Sequence, residues 1–243
     1  MKEIGVIVEA RMGSSRLPGK ILMEINGTTI LKLLLERIKK VSDIKKIIVA
    51  TTINSKDDIL AKYCKDNNII CHRGSENDVM GRVLEAAKIN NISTIVEITG
   101  DCPLIDPKII SQILNCYINN EADYVGNANI YTYPAGMEVQ VFSTKTLEDS
   151  YNNTNDILDR EHVTLHIKRS GKYSKINIIA PNNQTDPGLG LTLDEEKDLR
   201  LIKKIYKYFN HNNFDLDEIL DLLNNKNTEL KETNNNVERK GYS

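Results

Sequence analysis

From residue 4 to residue 118 the chain alternates short apolar runs with longer segments whose apolar residues recur at helical spacing. Residues 4–9 read as a buried strand, and Leu31, Leu34, Leu35, Ile38 and Val41 then line one helix face. The pattern repeats three times. Residues 47–51 precede a helix with Ile59, Leu60, Tyr63 and Cys64; residues 69–71 precede one with Val79, Val83, Leu84 and Ala87. Residues 94–99 precede one with Ile110, Ile113, Leu114 and Tyr117, opened by Asp106 as N-cap and Pro107 at the first helical position. Strands linked through helices lie parallel, with right-handed crossovers. The expected fold is α/β: a three-layer, doubly wound, mainly parallel sheet.

The pattern changes near residue 122. Residues 123–127, 130–133 and 138–142 are short strand-like pieces split by Asn, Pro and Gly. They predict a small hairpin-like element over 122–142, inserted beside the main sheet. Helices are expected over 144–151 and 161–168, and short strands over 176–179 and 191–193. A helix bearing Leu199, Ile202, Ile205 and Tyr206 follows, then a last one over 216–223. Residues 224–243 are polar and Asn-rich, and read as a disordered tail after a single domain of residues 1–223.

With 32 basic and 34 acidic residues the net charge is −2, which argues against a nucleic-acid partner. The four cysteines, Cys64, Cys71, Cys102 and Cys116, form no C-x-x-C pair, and histidine is scarce. That pattern disfavours zinc and favours reduced thiols. Cys102 reads as a small packing residue. The N-terminus shows no signal-peptide pattern, and no apolar run approaches the ~20 residues that span a bilayer. A cytoplasmic protein without a membrane partner is expected.

The first strand runs into Ala10-Arg11-Met12-Gly13-Ser14-Ser15-Arg16-Leu17-Pro18-Gly19-Lys20. Three cations, two glycines and two hydroxyls at the C-terminal end of a strand suit a triphosphate: backbone N–H groups cradle oxygens and fixed cations neutralise them. The spacing fits neither the P-loop nor the dinucleotide fingerprint. A second polar turn, Gly100-Asp101-Cys102-Pro103-Leu104-Ile105-Asp106-Pro107, follows the strand at 94–99. An acidic residue held there by a proline turn is a natural Mg²⁺ ligand.

Together with Arg160-Glu161-His162-Val163-Thr164 and the run from Leu191 to Leu199, these motifs resemble the cytidylyltransferase family. That family includes the CMP-sialate and octulosonate synthetases, and the match is nearest to its spore-coat polysaccharide branch. The resemblance spans about residues 3–208 and implies a nucleotide-diphospho-sugar transferase-like fold. The implied activity is Mg²⁺-dependent transfer of CMP from CTP to a sugar, sugar acid or related acidic acceptor, with release of pyrophosphate, in cell-surface polysaccharide or glycoconjugate biosynthesis.

The resemblance also assigns residues. Arg11 and Lys20 hold the outer phosphates, in a nucleotide site with Ala10, Gly13, Ser14, Ser15, Arg16 and Thr99. Arg16 equally suits a role bracing the loop. Arg73 and Ser75 lie in a segment placed near the base, where Arg73 donates to the cytosine carbonyl. Asp78 and Arg82 either fix each other or serve as cap and surface groups. Asp101 and Asp194 meet at the metal, with Glu196 as a further ligand; the alternative for Asp194 is a helix N-cap. Glu138, Arg160, Glu161 and His162 face the acceptor. The 122–142 element carries acceptor-binding or dimer-forming structure, and a homodimer is implied. At position 9, relatives usually carry Gln; Glu9 either adds to the metal site or pairs with Arg11. Two other readings stay open: a nucleotidyltransferase using another NTP or a sugar phosphate, and a non-catalytic nucleotide-binding regulator.

Overall fold

In chain order the strands are β1 (Ile4–Glu9), β2 (Glu24–Ile25), β3 (Thr28–Thr29), β4 (Lys46–Thr52), β5 (Ile70–Gly74), β6 (Thr94–Thr99), β7 (Tyr124–Gly126), β8 (Gln140–Ser143) and β9 (Lys175–Asn177). The helices are α1 (Ile30–Ile38), α2 (Asp58–Asp66), α3 (Val79–Ile89), α4 (Pro107–Ile118), α5 (Thr144–Asn152), α6 (Ile157–Glu161), α7 (Leu165–Arg169), α8 (Glu196–Phe209) and α9 (Leu216–Asp221). They come from a computed structural model, which describes residues 3–234 and Val237.

A seven-stranded sheet runs β5-β4-β1-β6-β8-β7-β9, and only β8 is antiparallel to its neighbours. The chain leaves β1 through α1 for β4 and β5, then returns through α3 to β6 on the other side of β1. That reversal opens a crevice between the C-terminal ends of β1 and β6, where open α/β sheets bind ligands. Apolar residues cover both sheet faces. Val6, Val8, Val49, Val96 and Ile98 pack with α1, α4, α8 and α9, while Ile7, Ile48 and Ile95 pack with α3, α5 and α7. Strand alternation sends successive side chains to opposite layers, which produces this division. Helix starts are capped as their sequences dictate: Thr29, Asp78 and Asp106 each accept a backbone N–H from the first turn of α1, α3 and α4.

Four local expectations are corrected. Residues 130–133 form no strand, and β7 and β8 join the main sheet instead of forming an insertion beside it. Between them the chain is held by the Asn127 side chain, which donates to Met137 O at 2.7 Å and accepts from Val139 N at 2.8 Å. Residues 191–193 are extended but form no strand; Gly190 makes a single bridge to Ala135. Gly136 permits that approach, because a Cβ there would lie 2.9 Å from the Leu191 carbonyl carbon. The expected helix over 161–168 breaks into α6 and α7 at His162-Val163-Thr164, where buried Val163 has φ +35°. A β-branched residue with positive φ is strained, and here the strain sits beside the crevice.

The fourth correction concerns the tail. Residues 222–226 and 228–234 are helical, and Leu230 and Asn234 are buried. The Asn234 amide donates to Gly190 O and to Asp198 Oδ1, both at 2.8 Å. Asp198 uses its other oxygen to accept the backbone N–H groups of Asp194 and Glu195, each at 2.9 Å. An Asn-rich composition concealed one amide that closes a buried network. Residues 235–236 and 238–243 of the expected disordered tail lie outside the described residues. Asn234→Ala removes the amide bonds to Gly190 O and Asp198 Oδ1 and should cost about 1–3 kcal/mol of stability. Urea unfolding measures it; an unchanged midpoint would return this segment to the disordered reading.

Candidate active site

The crevice holds a cavity of about 370 Å³ lined by Glu9, Ala10, Arg11, Ser14, Ser15, Arg16, Lys20, Ile21, Val79, Arg82, Thr99, Gly100, Asp101, Glu161 and His162. Its back wall is fixed by backbone. Gly100 N donates to Glu9 O at 2.8 Å, and a Cβ on Gly100 would meet that oxygen at the same distance, so only glycine fits. The phosphate-type loop folds back on itself through Gly19 N to Met12 O at 3.0 Å, with Gly19 at φ +74°. Buried Asp57 anchors the loop by accepting Met12 N at 2.6 Å, and the Thr52 hydroxyl holds the other Asp57 oxygen. Nothing in the local sequence singled out Asp57.

Lys20 reaches from the loop into the acidic turn. Its ammonium lies 2.7 Å from Asp101 Oδ2, 3.5 Å from Asp194 Oδ1 and 2.6 Å from Leu193 O. Arg16 donates to Asp194 Oδ1 at 2.7 Å and stands 3.7 Å from Glu195 Oε1. The two aspartates, about ninety positions apart in sequence, thus converge on one cation. Burial opposes the charge on Asp101, but the Lys20 ammonium and hydrogen bonds from Lys20 and Thr99 outweigh it and hold the carboxyl below its ordinary value. Burial pushes the Cys102 thiol well up, with Asp101 and Glu138 adding to it, so Cys102 is no nucleophile.

Asp194 does not cap α8. Glu195 is the N-cap, with Asp198 completing a capping box, while the Asp194 carboxylate accepts from Arg16 and the Thr192 hydroxyl and faces Lys20. Two hard carboxylates around one cation position suit Mg²⁺, which uses one or two carboxylates and fills its shell with water and phosphate oxygen. Among the described residues no cluster of three or more metal-ligating side chains occurs. Glu196 is exposed at the start of α8, outside the cavity lining, and does not join the two aspartates.

Several assigned residues lie elsewhere. Arg73 gives its guanidinium to Thr52 O at 2.9 Å, Asn54 O at 3.1 Å and Asp58 at 2.7 Å, and so braces the β4–β5 edge instead of a base. Ser75 serves the backbone N–H of Asp78, and Gly13 stands against Glu76 behind the loop. Arg160 stacks 3.6 Å over the Tyr151 ring and bonds Tyr151 O, Thr154 O and Asp78, so it ties α6 to α3 and α5. Glu138 accepts Gly136 N at 2.8 Å and lies outside the lining. Glu161 and His162 do reach the cavity. Arg11 is 3.2 Å from Glu76, not paired with Glu9, and Arg82 bonds Ser75 O instead of Asp78. Sequence reasoning overlooked the place of Arg82 in the wall: it is buried, and its Nε has no hydrogen-bond partner among the described residues. A helical Arg among apolar neighbours was the available signal.

Comparison with known proteins gives this geometry a family. The profile of the cytidylyltransferase family matches residues 5–237. A solved cytidylyltransferase from Leptospira borgpetersenii serovar Hardjo-bovis superposes with a TM-score of 0.90 at 32% identity, covering 98% of this chain and all of that one. An uncharacterized protein of Methanocaldococcus jannaschii is 37% identical over 243 residues, all of this chain and 98% of the relative. The spore coat polysaccharide biosynthesis protein SpsF of Bacillus subtilis is 29% identical over 218 residues, 85% of this chain and 88% of the relative. A cavity lined by the loop's cations and hydroxyls and by Asp101, with Asp194 joined to it through Arg16 and Lys20, is thus seated at the switch point of a chain that belongs to the cytidylyltransferase family of nucleotidyltransferases.

Proposed function

We propose that the protein transfers CMP from CTP to a sugar-acid acceptor and releases pyrophosphate, in the synthesis of a cell-surface polysaccharide or glycoconjugate. The observation that carries this reading is the convergence of Lys20, Asp101 and Asp194 beside the Arg11–Arg16 loop. Triphosphate oxygens lie along the loop, with Ser14, Ser15 and exposed backbone N–H groups as donors and Arg11 and Lys20 on the outer phosphates. Arg82 replaces Arg73 as the donor available to a base carbonyl, since it lines the cavity and Arg73 does not. Glu161 and His162 mark the acceptor end. Asp101 and Asp194 would hold Mg²⁺, which when bound offsets phosphate charge and lowers the acceptor hydroxyl's pKa. Fixed positioning and electrostatics supply the remainder. The motifs shared with sialate and octulosonate synthetases support a sugar-acid acceptor, and the similarity to SpsF supports the polysaccharide role. We place the protein in the cytoplasm as a homodimer, for which exposed Ile157 and Leu158 on α6 offer an apolar face; light scattering decides the latter.

The test is pyrophosphate release with four NTPs crossed against acceptors that include sialic acid and 3-deoxy-manno-octulosonate. CTP with Mg²⁺ should also raise Tm more than ATP, GTP or UTP at equal concentration. A clear purine preference would transfer the protein to another nucleotidyltransferase class. Nucleotide binding without turnover of any acceptor would favour a regulator.

A further inference from the structure

Beneath the cavity lies a polar row that the phosphate loop and metal site do not use. Across β1–β6 Ile7 pairs with Glu97, and across β6–β8 Glu97 pairs with Gln140. Glu9 is two residues beyond Ile7, so its side chain leaves the same face of the sheet. Glu9, Glu97 and Gln140 therefore form a row over three adjacent strands, on an otherwise apolar layer.

The row has a direction. Gln140 Oε1 accepts from the Tyr124 hydroxyl at 2.9 Å, the Thr164 hydroxyl at 2.6 Å and the Lys168 ammonium at 3.4 Å. Three donors on one oxygen fix the amide, and its Nε2 donates to Glu97 Oε2 at 2.8 Å. Glu97 next meets the carboxyl of Glu9 in a side-chain hydrogen bond. Two carboxylates cannot bond without a proton between them. Burial, and secondly the Glu9 charge, push Glu97 well above the ordinary carboxylate range, so Glu97 is the donor. Burial also raises Glu9, against the Glu97 hydrogen bond and the Arg82 charge. Glu9 faces Arg82 from α3, Asp101 from the turn after β6 and His162 from the α6–α7 turn, while Lys168 from α7 faces Glu97. Glu9 itself lines the cavity and is only half-buried as a residue, so its carboxyl links the row to the cavity.

We propose that the Glu9 carboxylate accepts the proton of the attacking acceptor hydroxyl, and that Glu97 and Gln140 are positioning residues that hold it at the cavity. This rests on the cytidylyl-transfer reading of the site. In the step, the acceptor O–H bond breaks and its proton passes to Glu9. The oxygen bonds the α-phosphorus, and the bond from that phosphorus to the pyrophosphate oxygen breaks, its electron pair leaving with pyrophosphate. The proton returns to solvent when the product leaves. A carboxylate raised by burial is a better base than an exposed one. The row also gives Glu9 a reason to be Glu: a glutamine would offer an N–H donor or a non-basic oxygen.

Two measurements test the proposal. Carboxyl ¹³C NMR of glutamate-labelled, ligand-free protein should show one buried glutamate neutral at pH 7, with its signal absent from Glu97→Gln. Two ionised carboxylates at pH 7 would overturn the arrangement. In the pyrophosphate assay with CTP, Mg²⁺ and a sugar acid turned over by the wild type, Glu9→Gln should lose at least ~100-fold in kcat and lose the acidic limb of its pH profile. Its CTP-induced rise in Tm should stay unchanged. Glu97→Leu should lose ~30-fold or more, and Glu97→Gln should recover most of that, because its amide donates to Glu9 and accepts from Gln140. An unchanged acidic limb in Glu9→Gln, or no recovery in Glu97→Gln, overturns the assignment. If no acceptor is turned over at all, the transferase reading fails and the catalytic role of Glu9 with it, while the neutral glutamate is still observed.

Discussion

Asp101→Asn and Asp194→Asn should each lower turnover at least ~100-fold, about 2.7 kcal/mol of barrier, while leaving the fold in place. The reasons differ at the two positions. Asp101 sits against the Lys20 ammonium at 2.7 Å, on a turn whose carbonyl accepts Leu193 N at 2.8 Å, so its geometry survives the change to amide. Asp194 accepts from Arg16 and Thr192, and the capping of α8 belongs to Glu195 and Asp198. An Asn at 194 would be nearly silent if it only replaced a cap, since Asn caps as well as Asp. With capping assigned elsewhere, any loss of turnover must come through charge. Chelation with EDTA should abolish turnover in the wild type, and both variants should need more Mg²⁺ for half-maximal rate. Full activity in EDTA, or wild-type Mg²⁺ dependence in Asp194→Asn, would separate the aspartates from metal binding.

The sheet and its crossovers were legible because burial on both faces imposes continuous apolar strands and one-sided helices, and both are written in residue type. The phosphate loop and the aspartates were legible because their chemistry demands fixed residue kinds in short runs. What failed was long-range. Arg160 stands in a motif that looks made for an anionic acceptor, yet its guanidinium is spent on Tyr151, Thr154 and Asp78. Arg73 is spent likewise on Thr52, Asn54 and Asp58. An arginine carries five donors, and sequence does not show which carbonyls will take them. The same limit hid Asn234, a single buried amide within an Asn-rich run, and Asp57, whose partner Met12 is forty-five positions away. Glu9 stood out only as an odd carboxylate; its partner Glu97 becomes visible once β1 and β6 are placed in register.

Lys20→Met should weaken CTP binding by about 1.5–3 kcal/mol, the range for one charge-assisted contact, and change CMP binding much less. Equal losses for CTP and CMP would remove Lys20 from the outer phosphates. The variant also reports on the ligand-free site. Lys20 is buried between Asp101 and Asp194, and methionine keeps its volume without its charge. Removing one partner of a buried pair costs about 3–5 kcal/mol; with Asp101 about a quarter exposed, about 1–3 kcal/mol is expected here. The pH dependence has a definite sign. The folded Asp101 pKa is depressed below that of the unfolded chain, so its contribution is fully present above the unfolded value near ~4. It is lost as pH falls through the folded value. The stability gap between wild type and Lys20→Met should therefore be full at pH 7 and shrink below about pH 4. Mg²⁺ supplies a further discriminator. In the ligand-free protein Lys20 and a metal compete for the same two carboxylates, so Mg²⁺ should raise the Tm of Lys20→Met more than that of the wild type. A pH-independent gap, or an equal Mg²⁺ effect in both proteins, would show that Lys20 packs the turn without holding its charge.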